Sequence, residues 1–431
     1  MKLVIIGAGS AYTPEIFNGI ILRNTTLAIK QIVLVDIEDG RTRTEINAGL
    51  GRRMFAAAKQ DNVKLTTSYN RQDALIDANF VISQIRVGGG NARSTDEHLC
   101  VSLGLLGQET TGAGGFFNAM RTVPVAIDIA RDIEKICPDA WLINFTNPSG
   151  IVTEAILKYT KVKCIGLCNV PINMQADAAK ILELQREDVR CITMGLNHLS
   201  FVTSVTAQGQ ERLPDVIKSI DGNETLMKNI PKVEGVSELI NTIDLLPSPY
   251  LQYFYFQEAM VDKQQKELKD TGKTRGDLVK EIDEEMFAQY AEEGRNAPPE
   301  KLAERGGSLY SHAALDIVEA LLSDTPKEMT VNIQNYGTID DLDDTDVIEV
   351  NCLISCSGEK RIKLGTLPKA VSGLVHAVKQ YERLTVEAAV TSSRKLALQA
   401  LINHPLICSF EKAKKVVQAM EENFEEYINL A

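Results

Sequence analysis

Short apolar runs recur through the first half of the chain, each too brief for a helix and each followed by a longer stretch with apolar residues at helical spacing. The segments "KLVIIGAG", "QIVLVDIE", "NFVISQIRVGG", "AWLINFTNP" and "VKCIGLCNVP" read as buried parallel strands. Amphipathic stretches such as Val123 to Ile136 lie between them. This alternation predicts βαβ units and an α/β fold with a Rossmann-like doubly wound parallel sheet over residues 1–195. Beyond that point the rhythm changes to a few strand-like runs ("CITMGLNHLSFVTSVTA", "TVNIQNYG", "VIEVNCLIS") and long helices expected near 278–293, 309–323 and 369–403. Residues 196–431 therefore read as a C-terminal α+β substrate domain. The charged segment 261–305 predicts a solvated helix pair or a mobile flap, and "DDLDDTD" at 340–346 a surface loop.

Composition narrows the picture. At 431 residues and 44% hydrophobic, the chain can bury a large core divided over two or three domains. A formal net charge of −12 argues against nucleic-acid or anionic-membrane partners, which need a basic face. An anionic substrate would require arginines gathered locally against that field. The first apolar run stops at Gly7, shorter than a signal peptide's hydrophobic region, so a cytoplasmic protein is expected. Eight irregularly spaced cysteines then read as reduced thiols: core, ligand or nucleophile.

The opening "MKLVIIGAGSAYTPEI" carries a glycine turn between strand and helix. Gly7 permits the tight turn, and Gly9 lets a backbone approach a pyrophosphate facing helix-terminal N–H groups. Thr13 is the expected N-cap, with Pro14 and Glu15 in the first turn. Asp36, at the end of "IVLVD", is placed to hold the ribose hydroxyls and favours NAD over NADP. A third glycine is missing, since Tyr12 stands in its place.

Ligands of an open parallel sheet sit outside the carboxyl ends of its strands. There the sequence places Arg86 and Arg93, Asn144 and Asn147, and Cys168 and Asn169. Cys168 stands where a strand gives way to Asn-Val-Pro, whereas Cys164 lies within the strand and reads as core. With His198 of "GLNHLSFV", Cys168 could make half of an open metal site completed by substrate oxygens and water. Donor softness alone would favour zinc, iron or cobalt over manganese.

Together these segments resemble the family 4 glycoside hydrolases, the NAD- and metal-dependent glycosidases of phosphorylated sugars that depart from two-carboxylate hydrolysis. The likeness spans nearly the whole chain: "GAGSAYTPE", "QIRVGG", "GQETTGAGGFFNAMR", "NFTNPSG", "CNVP", "GLNHLSF", "SPYLQYFYF" and "TRGDLV", in that order. Glycine, x, glycine, serine, running on to Thr-Pro-Glu, is that family's own pattern, so the absent third glycine is in keeping. The resemblance implies a lactate/malate dehydrogenase-like architecture with NAD at Gly7, Gly9, Ser10, Asp36 and Asn144. It implies a divalent metal, typically manganese, on Cys168 and His198. Tyr250 would be the catalytic base, with Tyr253 as the alternative, and Arg93, Asn147, Asn169 and Arg275 would contact the phosphosugar. Asn169 after the metal cysteine resembles the 6-phospho-β-glucosidase branch, where α-acting relatives carry Asp as a candidate acid. Asn169 is kept as a catalytic candidate, and the leaving-group acid is unassigned.

The chemistry so implied is oxidation at sugar C3, elimination across C1 and C2, water addition and re-reduction, acting on a phosphorylated disaccharide or glucoside such as cellobiose 6-phosphate. Relatives of this kind assemble as homodimers or homotetramers. Tyrosine has an ordinary pKa of about 10 and can act as the base only near a cation, so Tyr250 is expected beside the metal. Competing readings are a 6-phospho-α-glucosidase of the same family, a 2-hydroxy-acid dehydrogenase, which would carry a "GEHG"-like histidine turn in place of "GLNHLS", and a sugar-phosphate sensor without turnover.

Overall fold

The computed structural model describes residues 1–220, 233–299, 302 and 310–431. In chain order its strands are β1 (Lys2–Ile6), β2 (Gln31–Val35), β3 (Lys64–Ser68), β4 (Phe80–Ser83), β5 (Trp141–Asn144), β6 (Lys163–Gly166), β7 (Val189–Leu196), β8 (Leu199–Ala207), β9 (Gln210–Glu211), β10 (Leu246–Pro247), β11 (Lys327–Gln334), β12 (Val347–Ser355) and β13 (Gly358–Arg361). The first six are parallel in the order β3-β2-β1-β4-β5-β6, with the order reversing between β1 and β4. That is the doubly wound arrangement, whose reversal point is where ligands bind.

Continuous apolar runs arise because both sheet faces are covered by helices. In β1, Leu3 and Ile5 enter one core cluster while Val4 and Ile6 enter another on the opposite face. β3 escaped the hydrophobic pattern. It is an edge strand, "KLTTS", in which only Leu65 is buried, so an apolar run is not required.

Beyond β6 the same sheet continues as the antiparallel strands β11, β12 and β13, attached to β6 through the single register pair Asn332–Gly166. The sheet thus crosses the point near residue 195 where the sequence rhythm changes. β7 and β8 form a hairpin in a second, smaller sheet with β10 along one side. No helix among the described residues is long and apolar enough to cross a membrane.

Three local expectations are revised and a fourth, the helix pair of the charged segment, is met in part. Thr13 does not cap the first helix, Thr13–Leu27: it is fully buried, donating to the Ala8 carbonyl (2.9 Å) and accepting from Gln84 Nε2 (2.8 Å), while Tyr12 holds the cap position. The helix expected over 369–403 is two, Lys369–Thr391 and Arg394–Asn403, divided at Ser392 (φ +52°) with Ser393 capping the second. The acidic loop is not wholly at the surface, since Asp346 is buried and pairs with Arg383 Nε at 2.6 Å. The charged segment contains a helix pair, Gln257–Thr271 and Arg275–Tyr290, and the inner face of the second buries Met286, Phe287 and Tyr290. Residues 300, 301 and 303–305 of that segment lie outside the described residues.

A buried ionic cluster secures the elements behind the cleft. Lys379 Nζ meets Glu154 Oε2 at 2.7 Å, Glu382 Oε2 at 2.5 Å and the Val347 carbonyl at 2.8 Å. Burial pushes the Glu382 carboxyl up to about 7 against the pull of Lys379. Glu154 belongs to the helix Ser149–Tyr159 that follows Asn147, so this cluster anchors the loop carrying that residue. Removing the cation leaves two carboxylates buried, and Lys379→Met is expected to cost about 3–5 kcal/mol of stability, read from urea unfolding. A loss under about 1 kcal/mol would show that the cluster is not holding this region together.

Candidate active site

The glycine turn is built as a rigid shelf at the end of β1. Gly7 has φ +83°, and a Cβ there would lie 2.9 Å from the Gln84 backbone. Asn47 Nδ2 donates to the carbonyls of Ala8 (2.7 Å) and Ser10 (2.9 Å). Asp36, from the end of β2, accepts from Gly9 N (2.6 Å), Ile37 N (2.9 Å) and Thr44 Oγ1 (3.3 Å). The Tyr290 hydroxyl donates to the Ala11 carbonyl (2.8 Å), and Tyr12 turns toward the large cleft, so substrate-side residues abut the turn directly.

That cleft, of about 590 Å³, gathers Tyr12, Arg93, Asn147, Cys168, Asn169, His198, Tyr250, Tyr253 and Arg275. Cys168 sits where β6 leads into the helix Val170–Ile181, and the backbone N–H groups of Val170 and Asn169 and the Asn197 side chain act to lower its thiol pKa. Burial nevertheless pushes the thiol well up, with Glu349 adding to the effect. His198 is delivered by the two-residue turn between Leu196 and Leu199, in the left-handed region at φ +63°. Burial lowers its pKa to about 4, leaving a neutral imidazole. β10 then runs antiparallel beside β8, and the turn after it brings the Tyr250 ring onto His198, centroids 3.9 Å apart and planes within 3°.

Tyr250 is held protonated by burial, with Cys168, Tyr253 and Glu109 pushing the same way and Arg93 opposing. Tyr253 lies 5.9 Å from Tyr250, ring to ring, and its phenol is raised by burial and by Glu97. Arg93 pairs with Glu97 (3.0 Å) and Glu109 (3.3 Å), and Arg86 pairs with Glu109 (2.6 Å). Glu97 also accepts from Gly276 N (2.6 Å), which holds the start of the Arg275 helix against the helix Gly89–Ser102 that carries Arg93. The acidic chain therefore does concentrate guanidinium groups in one place, and places carboxylates among them.

Asn144 stands apart. Its side chain is fully buried at the end of β5, donating to Thr153 Oγ1 (3.0 Å) and accepting from Thr146 N (3.1 Å), and it does not line the cleft. Gly7, Gly9, Ser10 and Asp36 form the neighbouring shelf rather than the cleft wall. Sequence reading did not single out Glu97, Glu109, Gln108, Thr110, Asn197 or Glu349. The signal for Glu349 was a lone acid inside the otherwise apolar run "VIEVNCLIS", where a buried carboxylate must find partners. It finds Ser200 Oγ (2.8 Å), Asn197 Nδ2 (2.9 Å) and Asn332 Nδ2 (3.3 Å).

The donor set suits a divalent ion: a thiol flanked by N–H groups and a neutral imidazole, on adjoining elements. Among the described residues no group of three or more His, Cys, Asp and Glu is assembled for a metal, so an ion here would draw its remaining ligands from substrate or water. The shelf suits a dinucleotide, with a left-handed glycine, a carboxylate at the end of β2 and a helix N-terminus ahead.

The chain is 38% identical to a probable 6-phospho-beta-glucosidase of Bacillus subtilis over 99% of its own length and 97% of the relative's. The solved structure of the 6-phospho-beta glucosidase from Thermotoga maritima with manganese, NAD+ and glucose-6-phosphate superposes with a TM-score of 0.89 at 34% identity, covering all of both chains. Malate dehydrogenase from Plasmodium falciparum shares the fold at a TM-score of 0.53 and 11% identity, over 90% of this chain and 99% of that one. The model of the family 4 glycosyl hydrolases matches residues 2–184 and that of their C-terminal domain residues 193–407, and the chain belongs to this family.

Proposed function

We propose that this protein hydrolyses 6-phospho-β-glucosides, releasing glucose 6-phosphate and an aglycone, with NAD on the glycine shelf and a divalent ion, manganese foremost, at Cys168 and His198. The observation that carries the reading is the meeting of thiol, imidazole and stacked phenol in one cleft beside a dinucleotide shelf. It is supported by the Bacillus subtilis relative and by the ligands of the Thermotoga maritima structure.

A bound NAD would take up and return the C3 hydride, and the ion would polarise the neighbouring sugar oxygens, which together acidify the proton at C2. The chain's own part is to place and deprotonate. Tyr250 is the proposed base at C2: it is stacked on His198 and electrostatically coupled to Cys168, so an ion on those two residues would favour the phenolate that burial alone disfavours. Arg93 and Arg275 are proposed to bind the 6-phosphate, with Asn147 and Asn169 holding sugar oxygens. Glu97 holds the Arg93 guanidinium and the backbone at the head of the Arg275 helix from the same carboxylate, so both arginines are carried on a shared, preformed support. Gly7, Gly9, Ser10 and Asp36 are proposed to hold the dinucleotide, with Asn144 shaping the loop at the end of β5. A substrate that is already phosphorylated fits cytoplasmic action, and a homodimeric or homotetrameric assembly is part of the same proposal.

Tyr250→Phe keeps the ring that stacks on His198 and removes only the hydroxyl. Turnover of a 6-phospho-β-glucoside should fall by roughly 10²–10⁴-fold while NAD binds as before, and wild-type-like cleavage would exclude Tyr250 as the base. Arg93→Ala should raise KM for the phosphosugar by about 10–100-fold, as expected for losing a charge-assisted hydrogen bond, with NAD affinity little changed. Equal losses for both ligands would count against a phosphate role.

A further inference from the structure

Gly107, Gln108 and Glu109 of the segment "GQETTGAGG" line the cleft, and the side chains of Gln108 and Thr110 have no part in the chemistry described above. Resting on the metal site just proposed, the structure assigns a positioning role to Gln108 and Thr110: they determine which nitrogen of His198 is left to bind the ion.

The argument is one of counting protons. Gln108 Oε1 lies 2.5 Å from Thr110 N and 3.0 Å from Thr111 N. Backbone N–H groups only donate, so it is the amide oxygen of Gln108 that faces the loop. Thr110 Oγ1 lies 2.7 Å from that same oxygen, which has no proton to give. The single hydroxyl proton of Thr110 therefore goes to Gln108, and Thr110 has only lone pairs for its other neighbour. That neighbour is His198 Nδ1, at 2.9 Å. For this contact to be a hydrogen bond the proton of the neutral imidazole must sit on Nδ1, which leaves the Nε2 lone pair for a metal. The opposite tautomer would set two acceptors against each other in a buried site.

The loop is held to this task. A Cβ on Gly114 would fall 2.4 Å from the Gln108 carbonyl oxygen, and one on Gly115 would fall 2.4 Å from the Thr110 carbonyl carbon, so the glycines let the loop fold back onto the first turn of the helix Gly112–Ile136. On the other side the Tyr250 ring lies flat against the imidazole, which limits its rotation. Ring plane and proton position are thus set by different partners before any ion arrives.

The test uses the full-length protein. Long-range ¹⁵N–¹H correlation of the histidine rings in metal-free enzyme, with His198 assigned by the signals lost in His198→Asn, should show Nδ1 protonated and Nε2 bare. Manganese affinity, followed by loss of the free-ion EPR signal in saturating glucose 6-phosphate, should weaken by about 10–100-fold in Thr110→Val. It should return to near wild type in Thr110→Ser, which keeps the hydroxyl, and NAD affinity should stay within about twofold in both. A proton on Nε2 in the wild-type enzyme, or unchanged manganese affinity in Thr110→Val, overturns the inference. Unchanged affinity in both Cys168→Ser and His198→Asn overturns instead the metal site on which it rests.

Discussion

A single buried carboxylate joins the two sheets where the cleft forms. Glu349 projects from β12 of the large sheet and receives Ser200 and Asn197 from the β7–β8 hairpin and Asn332 from β11. Burial pushes its carboxyl up while these three donors hold it down, and the cost of leaving any one bond unmade fixes the hairpin's position. Two residues along the same face of β12, Asn351 repeats the clamp, accepting from Thr193 N (2.7 Å) and donating to the Cys191 carbonyl (2.9 Å). The hairpin tip carries His198, and the Asn197 side chain beside it helps to hold down the pKa of the Cys168 thiol, so the setting of the proposed metal pair depends on how β12 grips β7 and β8.

The cleft is equally a product of opposed charges. Arg86 and Arg93 share Glu109, and Arg93 shares Glu97 with the backbone at the start of the Arg275 helix. In a chain of net charge −12, such pairing keeps guanidinium groups together and oriented without leaving them to repel one another. A phosphate entering the cleft would compete with these carboxylates for Arg93. Recognition would then rest on bidentate geometry as well as on charge.

The parts of this arrangement that could be read from sequence are those set by local rules. Buried parallel strands announce themselves as apolar runs, and the glycine turn, Asp36 and Cys168 stand at positions where a doubly wound sheet puts its ligands, whereas His198 stands on the β7–β8 hairpin of the second sheet. β3 was not legible, because an edge strand with only Leu65 buried has no apolar signature. Thr13 reads as a cap because Ser/Thr before a helix satisfies that rule locally, while here its hydroxyl is claimed by the nearby Ala8 carbonyl and by Gln84 from across the fold. The contacts that orient the site, Glu349 to Asn197 and Thr110 to His198, span 152 and 88 residues, and no periodicity or spacing rule reports a pairing at that distance.

The fold itself does not decide the chemistry, since a malate dehydrogenase shares it at 11% identity. What distinguishes this protein is the proposal that oxidation at C3 is transient and serves to release the proton at C2. The most direct test is cleavage of a 6-phospho-β-glucoside in deuterated water, with NAD and manganese each supplied or withheld. The account predicts solvent deuterium at C2 of the released glucose 6-phosphate, cleavage that requires both additions, and no net NADH. Product without deuterium at C2, formed at full rate after the dinucleotide has been stripped away, would contradict it.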